Sequence, residues 1–101
     1  MEFINKKCVV RCYGAGVFFG TVTAKNDTVA GVEVELADVR RLWYWDGAAS
    51  LSQLATEGVR SPQNCKFTVK VPQMIVTQVI EIIPATEAAI KSIESIVEWK
   101  R

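Results

Sequence analysis

Short apolar runs with a period of two, cut at intervals by turn residues, constrain the fold of this chain more than any other feature. Val32, Val34 and Leu36 alternate with Glu33 and Glu35, which places one face of a strand in a core and the other in water. The β-rich run CVVRCY at 8–13 is followed, after Gly14 and Gly16, by VFFGTVT at 17–23, and the pair reads as a hairpin. Asn26 and Asp27 supply the next turn. A fourth run, Arg40 to Trp45, sets Arg41, Trp43 and Trp45 on one face and Arg40, Leu42 and Tyr44 on the other, with neither face plainly polar. CKFTVKV at 65–71 predicts a strand closed by Pro72. MIVTQVIEII, from Met74 to Ile83, predicts a strand with apolar groups on both faces, covered by a helix or a partner subunit and ended by Pro84.

Two segments break the period. Ser50, followed three residues later by Gln53, has the form of a capping box and opens a short helix through Leu51, Leu54 and Ala55, which Gly58 is placed to end. Thr86 caps ATEAAIKSIESI, where Ala89, Ile93 and Ile96 form one stripe. The expectation is an α+β fold: a small antiparallel sheet core decorated with a short internal helix and a C-terminal helix. At 101 residues there is material for one core, so residues 1–101 read as a single domain, and at this size an exposed apolar surface is readily stabilised by self-association.

Twelve basic residues against eleven acidic ones give a formal charge of +1, without the strong basicity that favours long nucleic acid. No apolar run is long enough to span a bilayer and no signal-peptide core follows the start, so a cytoplasmic protein without a membrane partner is expected. Cys8, Cys12 and Cys65 are odd in number, and on one strand Cys8 and Cys12 would sit about 13 Å apart, too far for a disulfide. Reduced, buried thiols are the expectation. The chain has no histidine, which removes histidine-dependent triads and most catalytic zinc sites. Its carboxylates form no recognisable pair, so no catalytic residue, metal or cofactor is expected.

Three features could carry binding chemistry. In DVRRLWYWDGAAS (38–50) paired arginines adjoin three aromatic rings; guanidinium forks suit phosphate and the rings suit a base, although the same rings serve equally as core or interface with the arginines as cover. Gly14, Gly16 and Gly20 are spaced one residue too long for a dinucleotide fingerprint and stand between strands, which assigns them to turns and bends. In SPQNCKF, Asn64, Lys66 and Phe67 put an amide, a cation and a ring together at the entry to a strand; Asn64 could read the edge of a base or simply serve the turn, and Phe67 could stack or sit in the core. Lys91, Lys100 and Arg101 would attract phosphate where two subunits meet, or stand as solvated helix-end charges.

The segments YGAGVFFGTV, RRLWYWDGAASLSQLATEGV, NCKF and IEIIPAT, in that order, resemble the Thoeris anti-defence protein 1 family of small phage and prophage proteins, over about Tyr13 to Trp99. The resemblance implies a sheet core with helices, a homodimer or hexamer, and a non-enzymatic sponge. Such a sponge binds cyclic ADP-ribose isomers made by TIR-domain enzymes and holds them intact in the host cytoplasm. Some members also bind cyclic oligonucleotides of CBASS immunity at separate sites. Carried over, it implies Arg40 or Arg41 as a polar contact, Phe67 as a stacking ring, Trp43 or Trp45 as pocket wall, and Ala85 and Thr86 near a second site. The alternatives are a cyclic-nucleotide-degrading enzyme and a structural or protein-interaction module.

Overall fold

In the computed structural model, which describes residues 3–101, the alternating runs become six strands. They are β1 (Lys7–Cys12), β2 (Gly16–Thr28), β3 (Gly31–Tyr44), β4 (Lys66–Phe67), β5 (Val71–Val76) and β6 (Val79–Pro84), with α1 (Leu51–Glu57) between β3 and β4 and α2 (Glu87–Glu94) after β6. All paired strands are antiparallel, in the order β4-β3-β2-β1-β6, and β5 lies beside β3. β5 and β6 therefore border opposite ends of the β3-β2-β1 meander, yet only Thr77 and Gln78 separate them. A flat sheet cannot satisfy both conditions, so this one curls into an incomplete barrel.

Curling gives the sheet two cores. Cys8, Val10, Phe18, Val22, Val34, Leu36 and Val39 fill the inside of the curl. Val9, Phe19, Leu42 and Phe67 face outward, under Leu54 and Ala55 of α1 and Ile93 of α2. Both faces of the sheet are thus buried at β1, the physical reason that CVVRCY shows no clean polar face, whereas in Arg40–Trp45 Arg40 and Leu42 are buried and Arg41 and Trp43 on the opposite face are exposed. Cys8 and Cys12 are free thiols in the inner core. Burial, with Lys6 opposing, pushes the Cys8 thiol up to about 11, which keeps it protonated and unreactive.

The α+β class and both helices stand as the sequence predicts, with differences inside the strands. The third and fourth runs are one 14-residue strand, β3, carried past Asp38 in a left-handed conformation (φ 51°). In CKFTVKV only Lys66 and Phe67 pair as a strand before the chain breaks and resumes as β5. Pro72 does not close a strand but lies within β5, which pairs on one side with β3; such an edge position spares the missing N–H. Met74–Ile83 is two strands, turned at Gln78 (φ 55°).

Both predicted cap residues cap their helices, although the Gln53 side chain reaches back to the N–H of Ala49 and not to that of the cap residue Ser50. Ser50 Oγ accepts from Gln53 N at 3.1 Å while Ala49 N donates to Gln53 Oε1 at 2.7 Å, and Thr86 Oγ1 accepts from Ala89 N at 3.1 Å. The loop from β3 to α1 is pinned at Gly47, whose φ is +96° and whose missing Cβ would lie 2.5 Å from Arg60 N and 2.8 Å from Ser61 N. Backbone cannot yield as a flexible side chain would. Gly47→Ala is therefore expected to cost on the order of 2–3 kcal/mol in urea unfolding; a loss below about 1 kcal/mol would show that the loop is not held there.

Candidate functional site

At the end of β3 furthest from the Thr77–Gln78 turn, three chain segments lie side by side. β4 pairs with Leu42 and Tyr44 of β3, and the C-terminal segment joins β4 through a parallel bridge of Glu98 to Phe67, with Trp99 N donating to Phe67 O at 2.8 Å. This lateral order places Trp43, Lys66 and Trp99 together. The two indoles stack with centroids 5.5 Å apart and planes 23° from parallel. The Lys66 ammonium lies 5.3 Å from the centre of one and 5.5 Å from the other, and the Arg101 guanidinium is 5.9 Å from Trp99. Trp43 remains 59 % exposed. Rings already stacked on each other leave no gap for a base between them, so a planar ligand would use an open outer face, with cations beside it for phosphate.

Beside this ladder is a cleft of about 460 Å³ lined by Tyr44, Asp46, Gln63, Asn64, Cys65, Lys66 and Trp99. Asn64 Nδ2 donates to Asp46 Oδ2 at 3.0 Å across its wall. A second cleft of about 250 Å³ shares Gln63 and Cys65 with the first and runs on to Ile96 and Val97. The Cys65 thiol is raised by its burial, against a hydrogen bond to the Asp46 backbone, and so offers no ready nucleophile.

The residues singled out from sequence are dispersed. Trp43 belongs to the ladder and Asn64 to the lining of the cleft beside it, while Lys66 and Trp99 belong to both. Arg40 is 1 % exposed: Nε donates to Thr68 O (3.2 Å), Nη1 to Ile96 O (3.0 Å) and Ile93 O (3.4 Å), and Nη2 to Phe67 O (3.0 Å). It staples the end of α2 to β4 and has no surface to offer a ligand. Phe67 is fully buried beneath it, and Trp45 packs half-buried on the helix-side core. Arg41 is exposed but lies 4.8 Å over the Phe18 ring, away from the cleft lining. None of five clefts among the described residues is lined by Arg40, Arg41, Trp43, Trp45 or Phe67. Ala85 lines a separate cleft of about 430 Å³ with Asn5, Lys6, Lys7, Glu87 and Ile90, while the Thr86 hydroxyl is spent on Thr56 O and its own helix. Sequence reasoning passed over Trp99 and Asp46; the only signal was a tryptophan followed by Lys100 and Arg101 in the tail, and its partner depends on a bridge that no local pattern announces.

Charges lock the same corner from the other side. Glu94 takes Lys7 Nζ at 3.1 Å and Lys70 Nζ at 2.6 Å, and Glu98 accepts from Lys70 N at 3.0 Å. Burial raises the Glu94 carboxyl, but hydrogen bonds and attraction from Lys70 and Lys7 together hold it below its usual value of 4.5. A depressed carboxylate contributes stability that is present above its unfolded value and lost as pH falls through the folded one. Acid unfolding is accordingly expected to steepen below about pH 4.5, and Glu94→Gln to flatten that limb while lowering stability at pH 7. An unchanged acid limb in the variant would assign the pH dependence elsewhere.

Among the described residues no three His, Cys, Asp or Glu side chains gather as a metal site requires, and no helix is long and apolar enough to cross a membrane. The fold and site define a small curled-sheet α+β domain with an aromatic–cationic ladder beside an open cleft. Residues 5–93 match the family described as Domain of unknown function (DUF6948), and the chain belongs to that family. No curated protein and no solved structure matches it.

Proposed function

We propose that this protein captures a small nucleotide signal of the cyclic ADP-ribose type, made by TIR-domain enzymes, and holds it intact in the host cytoplasm so that its effector is never switched on. The observation that carries the reading is the Trp43–Lys66–Trp99 ladder at the mouth of a cleft whose volume of about 460 Å³ suits a small ligand. π faces stack on a base of any sequence, and the adjoining ammonium and guanidinium take the pyrophosphate by charge-assisted contacts. The resemblance to the Thoeris anti-defence protein 1 family supports the same reading. Sequestration acts by mass action, so it asks for abundance and tight binding and not for a nucleophile.

The cleft beside Lys6, Lys7 and Ala85 is the place we assign to a second ligand, a cyclic oligonucleotide, and a homodimer or hexamer is the assembly that the resemblance implies. The test of the main reading is chemical recovery. After incubation with a TIR-enzyme product and denaturation by heat, the signal should return unchanged in mass and amount. A cleaved product would instead make the protein a cyclic-nucleotide-degrading enzyme. The 59 % exposure of Trp43 favours one other reading, a protein-binding surface, since tryptophan and arginine are enriched where proteins meet. Calorimetry showing no heat with any cyclic nucleotide, beside a tight protein complex, would select that module.

A further inference from the structure

We propose that Asp46 recognises the ribose hydroxyls of the nucleotide held at the ladder, so that the cleft selects ribonucleotides over their 2′-deoxy counterparts; this rests on the nucleotide reading above. Asp46 directly precedes Gly47, the residue that backbone contact with Arg60 and Ser61 fixes in a left-handed turn. Arg60 N also donates to Gly47 O at 3.2 Å. The carboxylate is therefore carried on an anchored backbone. Asn64 then grips one of its oxygens, Oδ2, at 3.0 Å, which leaves Oδ1 with no hydrogen-bond partner among the described residues, in the wall of an open cleft.

An ionised carboxylate accepts and never donates. It repels phosphate, which the geometry directs to Lys66 and Arg101, and it takes neutral donors, of which a vicinal diol offers two. The stacking faces, the acceptor Asp46 and the donors Lys66 and Arg101 thus supply one kind of group for each part of a nucleotide, its base, its sugar and its phosphate. Arg40 is already spent and Arg41 stands outside the cleft lining, so no other charged group in that lining competes with Asp46 for hydroxyls except Lys66, a donor only.

The experiment is calorimetric titration of the full chain with ADP, 2′-deoxy-ADP and cyclic ADP-ribose. One charge-assisted hydrogen bond predicts that the wild type binds ADP about tenfold more tightly than 2′-deoxy-ADP. Asp46→Ala should bring that ratio to near one. Asp46→Asn keeps an acceptor for Asn64, guards against a folding defect, and should lower the ratio at least about threefold by loss of charge. A wild-type ratio near one, or a ratio that survives both variants, overturns the proposal even if cyclic ADP-ribose binds and the sponge stands. A ratio that depends on Asp46 with no binding of cyclic ADP-ribose upholds the proposal and removes the sponge. No binding of any of the three overturns both.

Discussion

Arg40→Ala is expected to lower the unfolding free energy by roughly 3–5 kcal/mol. The guanidinium is buried and bound to four backbone carbonyls, two at the end of α2 (Ile93, Ile96) and two beside β4 (Phe67, Thr68). Alanine would strip these acceptors of a charged donor inside the fold, and carbonyls at a helix C-terminus are where a cation stabilises most. Burial lowers the guanidinium below its usual value, with Glu98 and Glu94 opposing at longer range, so the charge is tolerated because its donors are satisfied. Arg40→Lys should restore only part of the loss, because an ammonium cannot span the acceptors of a planar fork. Urea unfolding at constant m-value measures this. A loss below about 1 kcal/mol for alanine would contradict the staple.

The second large effect falls on binding. Trp43→Ala is expected to weaken nucleotide affinity roughly tenfold to a hundredfold, the worth of one base–aromatic stack. Stability should fall far less, because Trp43 is more than half exposed and adds little to either core. The two variants thus separate the roles that neighbouring residues of one strand play. Arg40 turns inward and holds the C-terminal segment; Trp43, three residues on, stands on the surface which that segment completes. Unaltered affinity in Trp43→Ala, measured by calorimetry, would remove the ladder from the site.

How far the sequence could be read follows from the range of each interaction. Capping at Ser50 and Thr86 is local, and the sequence spells it out. The alternation of Val32–Leu36 reports a half-wet strand faithfully, whereas after the left-handed Asp38 two successive residues, Val39 and Arg40, are buried and the alternation breaks, so the junction of the two runs went unseen. Beyond β4 the Thr68 carbonyl accepts from the Arg40 side chain, a contact 28 residues distant in the chain that no local pattern announces. The site was legible in part. Aromatic richness near Trp43 and the amide of Asn64 mark the right region. The choice between arginines was not legible, since strand parity alone decides that Arg40 meets the helix-side core while Arg41 lies on Phe18. Trp99 reaches the ladder only through the bridge of Glu98 to Phe67, which joins segments that share no sequence signal.

Tryptophan emission reports on the central claim most directly, because the chain holds three indoles, Trp43, Trp45 and Trp99, and only two of them form the ladder. Titration with a cyclic ADP-ribose isomer should quench the emission saturably, and the quench should persist in Trp45→Phe and vanish when Trp43 and Trp99 are both phenylalanine. Calorimetric binding with no change in emission, or a quench that Trp45→Phe alone abolishes, would place the ligand elsewhere and contradict the account.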